Sequence, residues 1–224
     1  MDSPDSCSQL ITVFDGALTI RGKPHPERGF AFEATFILNH PSFQQFRSAK
    51  PPLHFHPYQE EYIQVIEGAL IIEVEGGQHI LRREDGEFRI APWAVHRLYT
   101  PPEETTRSNT VRFVASGGKT REAFGMDLLF FENWYKYQDE SMRNGGRIDL
   151  IQAMCTFDAG GSYMTPPWYF PCRKTLSRMA GVVIGRWLGA LLGYRPFHRE
   201  WSTDWSSGKA KMQLSILYRR GGQE

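Results

Sequence analysis

The chain has 224 residues, 41% of them hydrophobic and 23% charged, with a net charge of +1. That size fits one globular domain, or one domain with an appendage, and a near-neutral charge offers neither nucleic acid nor an anionic membrane a bulk electrostatic attraction. Three cysteines, Cys7, Cys155 and Cys172, are too few and too scattered for a disulfide framework, and MDSPDSCSQ lacks the pattern of a signal peptide. A cytoplasmic protein with a small-molecule ligand, and no nucleic-acid partner, is expected.

The first half of the chain reads as β. Residues 9–20 and 29–38 carry β-branched and aromatic residues between Gly and Asp turn signals, and 61–75, 79–82, 86–91 and 110–115 continue the pattern. Short strands without a glycine-rich phosphate loop predict an antiparallel barrel or jelly roll. From about residue 117 the character changes. Helices are expected over 121–142, with Phe124, Leu128, Phe131, Trp134 and Tyr135 on one face, over 147–157 and over 173–194. An aromatic, proline-rich loop at 165–171 separates the last two, and another strand is predicted at 211–218. The domain expectation is a β core over 1–120 and a helical extension over 121–224 that packs on it.

The chemistry-bearing stretch is PPLHFHPYQEEYIQVIEGAL. His54 and His56 are two apart, so a strand presents both on one face. Glu61 follows a short bend, and His96 arrives on a second strand–turn–strand unit. Three imidazoles and a carboxylate suit one divalent transition metal, whether iron, manganese, nickel, copper or zinc. Ile63 and Val65 share the side of Glu61 and predict an apolar pocket, with Trp93 and Leu98 as further lining residues. Arg97 should point away from the lumen and pair outside it. His25, His40, His79 and His198 lack ligand-like spacing and read as solvated or packing residues.

The run His54-x-His56-x4-Glu61-x6-Gly68 resembles the first motif of the cupin superfamily, and Gly86 through Ala91-Pro92-Trp93 to His96 resembles the second. The resemblance implies a mainly β cupin barrel with His54, His56, Glu61 and His96 as metal ligands. Two departures stand out: Ser48 replaces a glycine before the first motif, and Ala91-Pro92-Trp93 replaces the usual Pro-x-Gly turn. The helical extension resembles that of small fungal cupins. This implies a metal-dependent enzyme acting on a small, largely apolar molecule in a secondary-metabolite tailoring step: oxygenation, isomerisation, cyclisation or decarboxylation. Glu61 would be a ligand or a general base. The alternatives are a cyclase or isomerase that uses the barrel as a shaped apolar cavity without a catalytic metal, and a non-catalytic small-molecule-binding cupin. A homodimer is expected, because sheet edges need cover.

Gly181, Gly185, Gly189 and Gly193 recur every four residues in the last helix. Close packing against another element is the favoured reading; a membrane-associated or dimer-forming helix is the competing one. Arg186 interrupts an apolar run too short for a transmembrane segment.

Overall fold

In a computed structural model, the protein is described over residues 9–47, 50–102 and 108–220. Cys7 and Ser48 lie outside the described residues. Two compact units emerge, one running up to His54 and through Gln59–Lys119, the other comprising Phe55–Tyr58 and the chain from Thr120 onward.

The first unit holds β1 (Leu10–Val13), β2 (Leu18–Gly22), β3 (Arg28–Ile37), α1 (Pro41–Arg47), β5 (Glu61–Glu67), β6 (Leu70–Val74), β7 (Gly77–Leu81), β8 (Glu87–Ile90), β9 (His96–Tyr99) and β10 (Thr110–Gly118), with β4 (His54–Phe55) at its border. Six strands form one sheet in the order β1-β2-β3-β10-β5-β8, and a second sheet runs β11-β4-β9-β6-β7, β11 being Tyr163–Met164. The antiparallel pairings are those of a jelly roll, and the fold is the cupin type that the motifs imply. Alternation explains the core. In β5, Glu61, Ile63 and Val65 are buried while Tyr62, Gln64 and Ile66 are less so, and β10 buries Val111, Phe113 and Ala115 in the same rhythm.

Both motif glycines have backbone reasons. Gly68 has φ +76°, and a Cβ there would lie 2.6 Å from the Thr110 carbonyl; Gly86 turns at φ +72°. Trp93 stands where the family motif has its glycine, yet keeps the left-handed backbone, at φ +67°. That conformation costs a non-glycine residue roughly 1–2 kcal/mol.

The second unit contains α2 (Leu128–Arg143), α3 (Leu150–Ala159), α4 (Arg173–Ala180), a π-helical stretch Gly181–Leu188 continuing into α5 (Gly189–Leu191), then α6 (Trp205–Gln213) and α7 (Ile216–Arg220). Asp127 and Asp149 cap α2 and α3 with their carboxylates, which sets later starts than apolar spacing alone predicts. The buried residues of α2 are Phe130, Glu132, Asn133, Tyr137 and Ser141; of the predicted set, Leu128, Phe131, Trp134 and Tyr135 are half-buried, and Phe124 is buried ahead of the helix. The strand expected at 211–218 is instead the end of α6 and the start of α7. Met212, Leu214, Ile216 and Tyr218 alternate only because two helices meet there, and Asp204 caps α6 by accepting from Ser207 N.

The glycine stripe does pack. A Cβ on Gly181 would meet the Tyr163 ring at 2.6 Å, and one on Gly185 the Met154 carbonyl oxygen at 2.6 Å, while Gly193 ends the run at φ +90°. Arg186 is accommodated because it forms a two-pronged ion pair with fully buried Asp158, at 2.6 and 3.0 Å. Among the described residues no helix is long and apolar enough to cross a membrane. Since the neighbour of Gly185 is α3 backbone, which cannot rotate aside, Gly185→Ala should destabilise the protein by about 1–3 kcal/mol. Thermal unfolding of the variant beside wild type checks this, and an unchanged midpoint would contradict the packing.

Candidate metal centre

His54 and His96 face each other in register across antiparallel β4 and β9, with ring centroids 4.5 Å apart. His56 follows one residue beyond fully buried Phe55. Donor atoms of His54, His56 and His96 all lie within 4.8 Å of one another, and His56 and His96 are buried.

Each ring is held from behind through Nδ1. His54 Nδ1 donates to the Pro52 carbonyl at 3.1 Å, and His96 Nδ1 donates to the Ala94 carbonyl at 2.9 Å. A carbonyl can only accept, so both rings carry their proton on Nδ1. His56 Nδ1 lies 2.9 Å from the Ser162 hydroxyl, which itself reaches the Gly160 carbonyl at 3.4 Å. Once that hydroxyl proton points to Gly160, its oxygen accepts from His56. Nε2 is then the nitrogen each ring can offer to a cation, the arrangement in which a ligating histidine is oriented by its other nitrogen.

Glu61 is 9% exposed, and its Oε2 lies 2.9 Å from His96 Nε2. With Nδ1 of His96 protonated, this contact sets a nitrogen lone pair against a carboxylate oxygen. Only a proton or a cation between them makes such an approach favourable. Glu61 thus reaches the cluster through His96, while the three-histidine group forms without it. Neighbouring Glu60 accepts from Tyr62 and Arg89 instead, on the other side of the strand. The donor set of imidazole nitrogens and one carboxylate fits a first-row divalent metal.

Ile63 and Val65 are each 1% exposed on the side of Glu61. Leu98, half-buried, shares the side of His96 and pairs in register with Ile72. Trp93 differs: it is 38% exposed in the turn before β9. Sequence reasoning missed Ser162, which stands 106 residues from His56. A buried serine after Gly160-Gly161 carries no local signal of that role.

On the opposite side of β9, Arg97 and Tyr99 converge on Glu73 of β6, with Lys50 as third partner, at 2.6, 2.5 and 2.7 Å. Burial works against the Glu73 carboxylate, but the Lys50, Tyr99 and Arg97 donors outweigh it and bring its pKa from 4.5 to about 2.

No known family profile matches the chain. Curated proteins do. An oxidoreductase of Arthrobotrys oligospora is 40% identical, covering 94% of this chain and 83% of that protein. The probable oxidoreductase yanE of Aspergillus niger is 40% identical over 94% and 82%. The chain belongs to the family of these fungal proteins. A third relative, the epoxidase atD of Aspergillus terreus, is 35% identical over 94% of this chain and 68% of its own length. Among solved structures, an RmlC-like cupin from Shewanella frigidimarina matches 55% of the chain at 18% identity and a TM-score of 0.36.

The Glu73 cluster makes a pH prediction. A carboxylate with a depressed folded pKa adds stability that is fully present above pH 4.5 and is lost as pH falls toward about 2. Acid unfolding of Glu73→Gln should therefore be shallower over that window than in wild type. Parallel curves would show that the cluster contributes nothing.

Proposed function

We propose that this protein is a metal-dependent oxidoreductase that modifies a small, largely apolar organic molecule as a tailoring step of secondary metabolism. The observation that carries this reading is that donor atoms of His54, His56 and His96 all lie within 4.8 Å of one another, with the His54 and His96 rings held at Nδ1 by main-chain carbonyls. The names of its fungal relatives, two oxidoreductases and an epoxidase, support the reaction class.

His54, His56 and His96 would hold the metal, with Glu61 as a fourth ligand or as an adjacent base. When bound, the metal supplies Lewis acidity and, if it is iron, manganese or copper, redox chemistry. The chain's own contribution is orientation and proton control. Glu61 would hold or take a proton at Oε2. Ile63, Val65 and Leu98 would exclude water and accept the apolar body of a substrate, while Trp93 would stand at the mouth.

Elemental analysis tests the site directly. About one iron, manganese, nickel, copper or zinc per chain is expected in the wild type, and none in the His54→Ala/His56→Ala double variant. Ser162→Ala should keep the fold and weaken metal retention against a chelator by roughly 10–100-fold, the usual effect of losing a partner behind a ligand. Absence of metal after reconstitution would overturn the assignment. Turnover retained in the double variant would point instead to a shaped cavity acting without a metal.

A further inference from the structure

The hairpin that joins β6 to β7 is closed by a residue that such turns seldom carry. Val74 pairs with Gly77, so Glu75 and Gly76 form a two-residue loop, and both take left-handed backbone, at φ +47° and +86°. Asn or Asp ordinarily precedes the glycine there, because a short polar side chain tolerates that conformation. A glutamate bears the strain, and what the position gains is a longer reach.

That reach ends on the strand that carries His96. Because Val74 lies opposite His96, Glu75 and Val95 are the next facing residues of β6 and β9. Two extended residues placed so would exchange both main-chain hydrogen bonds. Glu75 makes one of them in the ordinary way, its N–H donating to the Val95 carbonyl at 2.8 Å. For the other, its Oε1 accepts from the Val95 N–H at 2.8 Å. The carboxylate thus stands in for the carbonyl that the left-handed turn redirects. Val95 is 2% exposed, and its buried N–H requires an acceptor.

The amide held in this way belongs to the same planar peptide unit as the Ala94 carbonyl, which accepts from His96 Nδ1 at 2.9 Å. Rotation of that plane would loosen both bonds together. The segment before it is a tight turn, with Trp93 left-handed and Ala94 N–H donating to the Ala91 carbonyl at 3.1 Å. Carboxylate, peptide and imidazole form a chain of hydrogen bonds, and members of such a chain polarise one another. An acceptor on the N–H side makes the Ala94 oxygen a better partner for Nδ1, which in turn makes Nε2 a better electron donor.

We infer that Glu75 is a positioning residue for the metal centre, fixing the ring of His96 through the Ala94–Val95 peptide. The inference rests on the metal site proposed above and adds to it a side chain that touches neither His96 nor a metal.

Cobalt(II) titration of the metal-free full chain tests it, read by visible absorption and by competition with a chelator. Glu75→Asn suits the left-handed turn but is one methylene too short for Val95, whereas Glu75→Gln keeps an acceptor of the original length. Glu75→Asn should hold cobalt roughly tenfold more weakly than wild type and shift its ligand-field bands, and Glu75→Gln should restore most of both. Thermal unfolding without metal should place Glu75→Asn close to wild type, since relief of the turn offsets the lost hydrogen bond. Equal affinity and spectra in Glu75→Asn and wild type, or a loss that Glu75→Gln leaves unrestored, would overturn the role of Glu75 and leave the metal centre standing. A weakening that only follows a lower metal-free midpoint would overturn it in favour of a purely structural turn. A wild type that takes up no cobalt would overturn the metal centre itself, and this role with it.

Discussion

Antiparallel pairing of His54 with His96 is the constraint on which the site depends. Register fixes their separation, because residues directly opposite on neighbouring strands cannot drift apart without breaking the ladder. The next residue inward, Phe55, is fully buried and locks the strand's rotation, so that His56 emerges beside the pair. Strand pairing thus brings together groups of like chemistry that isolated side chains would keep apart.

Bringing polar rings into an apolar interior has a cost, which is offset by hydrogen bonds behind each ring. Pro52 and Ala94 contribute main-chain carbonyls, and these acceptors survive any change of side chain at their positions. Ser162 is the exception, since its hydroxyl is a side-chain group and its partner Gly160 sets the direction of the proton. Ile63 and Val65 are buried on the Glu61 side of its strand, and an apolar setting strengthens the charge interactions that Glu61 makes.

The helical unit solves a different problem. Each glycine inside a helix costs about 1 kcal/mol relative to alanine. Gly181 and Gly185 are tolerated because they let the helix come against Tyr163 and Met154 closer than a Cβ would allow, whereas Gly189 stands at an ordinary van der Waals distance from Ile151. The helix widens to π geometry over the same residues, Gly181–Leu188. Arg186 lies in that widened stretch, and its half-buried fork closes on buried Asp158 and neutralises it.

Much of the barrel was readable in order. Alternation marked β3, β5 and β10, and His54, His56, Gly68, Gly86 and His96 stood at the spacings of the motifs that the sequence resembles. Local signals misled where they were incomplete. Alternating apolar residues at 211–218 suggested a strand, yet the Asp204 cap and the join between two helices produce the same pattern. Trp93 hid a left-handed turn behind a residue that ordinarily avoids one. The partnership of Ser162 with His56 had no signature at all, because hydrogen bonds across 106 residues leave no periodicity. Sequence by itself determined which residues could bind a metal and which face of each strand they occupy, since both follow from chemistry and the two-residue period. Only the tertiary structure decided which ring nitrogen is held, and which side of the glycine-striped helix meets solvent, because both depend on neighbours brought in by folding.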